Sequence, residues 1–372
     1  MDKEFAMKSR NIFFVLVNFF FCLILSIFST NCYASTVAGR CNFFVENEKY
    51  QEASVDCKKA AEQGNVVAQF NLGSMHEKGY GVKQDYFEAF KWYQKAAKQG
   101  YAKAQYNLGH MYYQGYGVKQ NFNEAKNWWV KASEKGFADA QNNLGTLYEY
   151  GYGVKQDYFE AFKWYQKAAK QGNAVAQNNL ANLYCTGRGV NHNYQESVKW
   201  YKKAAKQGYA VAQNNLGLMY ANGRGVKQDY SEAFKWYQKA SEQDDALAQF
   251  NLGGLYYSGK GVKQDYQESF KWFQKSAKQG YAKAQFILGN MYNSGKGINQ
   301  DPKQAFKWYK YSADQGYGLA QLCVGGMYAI GVDGKQDAYK AKYYFGLACE
   351  NKIQEGCDAY KEVEQYIRYT KP

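Results

Sequence analysis

Residues 101–136 read YAKAQYNLGHMYYQGYGVKQNFNEAKNWWVKASEKG, and this stretch decides the fold. Ala104, Leu108, Met111 and Tyr112 recur at helical spacing and make one apolar face. Gly109 lies on or beside that face, where a missing side chain lets a second helix approach closely. Gly115 and Gly117 end the helix and shape a loop that needs positive φ. Val118, apolar in a polar loop, is expected to plug the end of the hairpin. Asn121, followed three residues later by Glu124, is a capping box and opens a second helix. Ala125, Trp128, Trp129 and Ala132 form the expected buried stripe of that helix, and Gly136 closes it. The stretch is a hairpin of two helices.

Outward from it, the pattern recurs every 36 residues without a gap. Gln stands at 69, 105, 141, 177, 213, 249, 285 and 321, and Trp at 92, 128, 164, 200, 236, 272 and 308. Asp or Asn opens the second helix at 85, 121, 157, 193, 229, 265, 301 and 337. Eight units therefore span 65–352. Residues 35–64 are expected to form an N-terminal capping half-repeat, and 353–372 a C-terminal capping helix. A period of this size predicts an all-α solenoid of stacked helix hairpins, not separate globular domains. Positions that agree in every unit are read as scaffold.

The run Ala104-Gln105-Tyr106-Asn107-Leu108-Gly109-His110-Met111-Tyr112 carries a family likeness. So do Gly115-Tyr116-Gly117-Val118 and the stretch from Asp157 to Ala169, DYFEAFKWYQKAA. Together they closely resemble Sel1-like repeats, relatives of tetratricopeptide repeats with a longer interhelical loop. The resemblance covers roughly 65–352. It implies a right-handed superhelix with a concave face for partners, and adaptor roles in signalling, protein quality control or bacterial contact with host cells. The run from Cys349 to Cys357 is similar to the hairpin disulfide of the cysteine-rich secreted Sel1-like proteins. Most units here lack that pair, so most of the array relies on packing alone.

Residues 1–34 differ from the rest. Lys8 and Arg10 precede an apolar stretch from Ile12 to Phe28, and Cys32 and Ala34 take the −3 and −1 positions of a cut before Ser35. This pattern reads as a secretory signal peptide cleaved after Ala34, which predicts a periplasmic or secreted protein of the exported bacterial type. An uncleaved anchor and a lipid on Cys32 are the alternatives. Export implies an oxidising compartment. Two disulfides are expected, Cys41 with Cys57 and Cys349 with Cys357, one stapling each end. Cys185 and Cys323 have no partner nearby in sequence.

With 46% hydrophobic and 18% aromatic residues, disorder is excluded. The net charge of +14 allows nucleic acid, anionic lipid or acidic proteins as partners. Arg is scarce and no nucleic-acid module is recognisable, so nucleic acid is not expected. Lys91, Lys95 and Lys98, repeated at 163, 167 and 170, form an outer stripe. It reads either as a solvated face or as a contact for an anionic lipid surface.

Units agree where they build and differ where they bind. By that rule, the variable first-helix positions line the concave surface. The candidate partner-binding residues are Phe70, Tyr106, His110, Tyr113, Asn142, Glu149, Asn178, Asn214, Phe250, Tyr257 and Phe286. The strip is aromatic toward both ends and rich in Asn in the middle, which suits an extended protein or peptide partner, a host protein included. Neutral variation at solvated positions is the alternative. Asn71, Asn107, Asn143, Asn179, Asn215 and Asn251 form a ladder, read either as a peptide-backbone clamp or as a hydrogen bond within each hairpin. Ser-x-x-Lys, Lys-Thr-Gly, Gly-x-Ser-x-Gly and His-Glu-x-x-His are all missing, and no Cys/His group has zinc spacing. No catalytic residue, metal or cofactor is therefore expected, and the chain is read as a monomeric scaffold. A β-lactam-binding enzyme, suggested by some cysteine-rich relatives, is the remaining alternative.

Overall fold

The computed structural model describes residues 36–332 and 336–370; the expected signal peptide at 1–34 lies outside them. Among the described residues there are nineteen helices and no strand. Each repeat is a hairpin of two helices, such as Ala102–Gln114 and Phe122–Glu134, joined by the loop at 115–121. The chain divides into two compact units, up to Asn173 and from Ala174 onward. Each unit is a stack of such hairpins. None of the described helices is long and apolar enough to cross a membrane.

The repeat position of Gly109 sets the spacing inside the hairpin. A Cβ there would lie 2.5 Å from the Trp129 ring, and one at Gly145 would lie 2.6 Å from the Tyr165 ring. The deep aromatic of the second helix therefore lies flat on a glycine of the first. This corrects the expected stripe of Trp128 and Trp129 together. Trp129 is 2% exposed, whereas Trp128 is half-buried and packs back on the preceding repeat. The outer face of that Trp position is roofed by a lysine one turn on. Lys131 sits 4.1 Å from the Trp128 ring centre, and Lys167 sits 4.1 Å from that of Trp164. The lysine ridge is thus folded down onto aromatics, a cation–π arrangement.

Only half of each capping box forms. The Asp157 carboxylate accepts from the Phe159 and Glu160 amides. The Asp157 amide, which the Glu side chain would have taken, donates instead to the Tyr148 carbonyl of the preceding helix at 2.8 Å. Glu160 is left to pair with Lys163 at 2.6 Å. The long loop makes this exchange by bringing the end of one helix against the start of the next.

Within the expected half-repeat, residues 36–64 hold two helices that form a whole hairpin, Val37–Glu46 and Tyr50–Glu62. Cys41 and Cys57 join these helices, with their Cα atoms 4.7 Å apart. At the other end, Cys349 and Cys357 tie Ala338–Glu350 to Gln354–Thr370, with Cα atoms 4.5 Å apart. Terminal hairpins lack a neighbour on one side, so a covalent tie offsets missing packing. Cys185 and Cys323 are half-buried thiols.

Candidate partner-binding face

The variable first-helix positions divide into two groups. The first group is bound up in the scaffold. Phe70 packs on Tyr101 at 5.2 Å, Tyr106 on Phe137 at 5.0 Å, Phe250 on Tyr281 at 5.1 Å and Phe286 on Tyr317 at 5.3 Å. In each case the partner ring opens the next repeat. After Asn214 the next repeat opens instead with Asp245, which caps its helix by accepting from the Ala248 amide. These four positions are therefore packing positions, although Tyr209 opens the repeat after Asn178 without an aromatic opposite it.

The Asn-rich middle is also corrected. Asn142, Asn178 and Asn214 are buried rather than open to a partner. Asn215 Nδ2 donates to Asn178 Oδ1 at 3.0 Å, and Asn251 Nδ2 to Asn214 Oδ1 at 2.8 Å. The ladder thus bonds between consecutive first helices rather than within a hairpin, because its residue reaches back one full repeat. Burial makes these bonds obligatory. Glu149 has a comparable duty and accepts from the Tyr165 hydroxyl at 2.6 Å.

The second group lines two cavities at the same place in the repeat, four repeats apart. In the first unit, a cavity of about 230 Å³ is lined by Tyr106, His110, Tyr113, Trp129, Asn143 and Thr146. Three predicted residues, Tyr106, His110 and Tyr113, therefore share one pocket. In the second unit, the equivalent cavity, about 190 Å³, is lined by Phe250, Gly254, Tyr257, Phe273, Ile287 and Asn290. Tyr113 stacks at the pocket edge with Phe122 and Trp129, with ring centres 5.3 and 5.5 Å apart. Burial lowers the His110 pKa, against the pull of the Glu77 carboxylate. The imidazole is therefore neutral at neutral pH and offers one donor and one acceptor. Burial also raises the Tyr106 pKa, with Asp139 adding to the shift. The first pocket is a polar aromatic cup. Its counterpart, with Gly254 for His110 and Ile287 for Asn143, is apolar.

The other wall residues are Trp129, which the sequence places in the buried stripe, Asn143, which it places in the Asn ladder, and Thr146, one repeat beyond His110.

The Sel1 repeat family matches residues 66–101, 102–137, 138–173, 174–209, 210–245, 246–281, 282–317 and 318–352. The chain belongs to the Sel1 repeat family. It is similar to a Sel1 repeat protein from Oxalobacter formigenes at 31% identity, over 82% of this chain and 89% of that one, with a TM-score of 0.63. A protective antigen of uropathogenic Escherichia coli shares 32% identity, over 85% of this chain and 84% of that one, with a TM-score of 0.49. No curated protein matches. Sel1 repeat proteins generally mediate protein–protein interaction, and their solenoid is typically a non-enzymatic scaffold.

Proposed function

We propose that this Sel1 repeat protein is an exported scaffold that holds a protein partner through its first-helix face. Each unit supplies one anchoring pocket. The observation that carries this reading is the paired cavity: His110 and Gly254 occupy one repeat position and open two pockets of similar size and different polarity. A peptide partner with a polar aromatic or amide side chain suits the first, and one with an aliphatic or aromatic side chain suits the second. The leader-like residues 1–34 and the two disulfides support export.

The test uses occlusion. A Cβ at Gly254 would meet nothing within 4 Å, so Gly254→Leu fills the second pocket without disturbing the backbone. His110→Trp fills the first. Affinity capture from periplasm and from host lysate is expected to lose its specific partner with either variant, without loss of thermal stability. Capture that survives both variants but fails in about 0.5 M salt would transfer the function to the lysine ridge.

A further inference from the structure

A larger opening lies between the capping hairpin and the first repeat. At four other repeat junctions a phenylalanine of one second helix meets a tyrosine of the next first helix edge to face. Phe90 and Tyr112 are 5.3 Å apart, Phe234 and Tyr256 5.4 Å, Phe270 and Tyr292 5.3 Å, and Phe306 and Tyr328 5.2 Å. Lys126 and Val198 replace the phenylalanine at two junctions, but Tyr148 and Tyr220 remain. At the last junction both members change, and Lys342 and Glu364 join in an ion pair of 2.8 Å.

The first junction also loses both members, and nothing replaces them. Ser54 stands in the phenylalanine position and His76 in the tyrosine position. The result is a cleft of about 690 Å³ lined by Ser54, Val55, Leu72, His76, Val82 and Trp92. His76 Nδ1 is buried there without a hydrogen-bond partner, one of two such side-chain atoms among the described residues. Val55 is 73% exposed at the rim, where six repeats carry lysine. The rim charges offset one another, Lys58 and Lys59 against Glu62 and Glu88, so the cleft favours an uncharged group.

We propose that this junction is a second binding site, for a tyrosine side chain of a protein partner. The ring takes the place that phenylalanine fills elsewhere, and a rotation of the His76 ring brings its enclosed Nδ1 to the hydroxyl, which donates to it. This uses the neutral imidazole with its proton on Nε2. The shape argument comes from the chain itself, since the missing group at this position is an aromatic ring in the neighbouring repeats. The donor requirement comes from the orphaned nitrogen, which costs free energy until it is bonded. The site does not depend on the first-helix pockets.

Saturation-transfer NMR on the whole chain tests this with acetyl-Ala-Tyr-Ala-amide, acetyl-Ala-Phe-Ala-amide and p-cresol. The tyrosine peptide is expected to bind several-fold tighter than the phenylalanine peptide and than p-cresol. His76→Phe should abolish the preference for tyrosine over phenylalanine. Ser54→Phe, alone or with His76→Tyr, should abolish binding and raise the melting temperature by refilling the junction. Binding unchanged in Ser54→Phe would overturn the assignment, and p-cresol binding as tightly as the peptide would replace the partner with a free phenol. Absence of binding by the wild type would also overturn it.

Discussion

Lys135 leaves Gln105 half-bonded. Gln105 Nε2 donates to the Ala97 carbonyl at 3.2 Å, but its Oε1 is buried with no partner. At the neighbouring junctions that oxygen accepts from the glutamine ending the same repeat: Gln99 to Gln69 at 2.8 Å and Gln171 to Gln141 at 2.7 Å. Lys135 occupies this glutamine position and turns to the Gly100 carbonyl instead. An unpaired buried acceptor costs about 1–3 kcal/mol, and a formed hydrogen bond contributes about 1 kcal/mol. Lys135→Gln is expected to extend the ladder and raise unfolding free energy in urea by about 1 kcal/mol. A variant of equal or lower stability would show that water satisfies Gln105.

Two glycines of the same helix type should respond in opposite directions. Gly145→Ala would place a methyl group 2.6 Å from the Tyr165 ring. Overpacking of this kind costs about 1–3 kcal/mol. Gly254→Ala meets open space, and replacing a mid-helix glycine gains about 0.5–1 kcal/mol. The natural Ala181 shows that a whole repeat can adjust to the extra carbon, with Tyr201 still 3% exposed. A single substitution lacks that adjustment. Thermal melts of the two variants should shift to either side of the wild type; shifts of the same sign would refute the spacing argument.

The repeat, its two helices and its glycine contacts were legible because each is written within 36 residues and copied eight times. The sequence periodicity could not say which neighbour of the Trp128–Trp129 pair goes inward. Both lie within one helical step, and the choice depends on the glycine across the hairpin. Contacts that reach into the next repeat were harder still. The Asn215–Asn178 bond and the Tyr106–Phe137 stack depend on the axial offset between hairpins, which leaves no periodic trace. That offset also explains why part of the variation at the Tyr106 position resembled binding: Phe70, Tyr106, Phe250 and Phe286 each pack on the ring that opens the next repeat. Of the predicted residues, Tyr106, His110 and Tyr113 share one pocket, whereas Asn142, Asn178 and Asn214 are buried.

Alkylation should distinguish the cysteines. Of the six beyond residue 35, four are paired in the two disulfides and two are thiols. Burial pushes the Cys323 thiol up to about 11. Since the thiolate is the nucleophile, Cys323 is expected to react slowly with iodoacetamide at neutral pH and rapidly after unfolding. Mass spectrometry of the unreduced protein should find at most two modified sites in this region, and more than two would contradict the staples. Reduction of either disulfide is expected to lower stability by about 2–4 kcal/mol.

His110 should give the protein a mild acid sensitivity. Its folded pKa lies below the unfolded value of about 6.5. Between the two values the unfolded chain binds more protons, so stability rises with pH there. The contribution is complete above the unfolded value and is lost as pH falls through the folded one. Urea midpoints measured between about pH 5 and 7.5 should fall on the acid side. In His110→Thr, which carries the residue native to the next repeat as Thr146, that part of the slope should disappear. An unchanged slope would place the acid sensitivity elsewhere.

The half-formed capping box makes the cap and its glutamate unequal. Asp157 bonds two amides at the start of its helix, with N–O distances of 2.9 and 3.0 Å. Its own amide is already taken by the Tyr148 carbonyl, so Glu160 is not needed there. Glu160 forms instead an exposed ion pair with Lys163. Loss of an N-cap costs about 0.5–2 kcal/mol, whereas an exposed pair on a helix contributes about 0.3–0.5 kcal/mol. Asp157→Ala is therefore expected to destabilise clearly more than Glu160→Ala. Asp157→Asn should be nearly neutral, because Asn121 and Asn193 cap the same position in other repeats. The Glu160→Ala deficit should shrink in high salt, while the Asp157→Ala deficit persists, because a short backbone hydrogen bond is screened far less than a solvated ion pair. Equal losses for the two alanine variants would restore the reciprocal capping box that the sequence suggested.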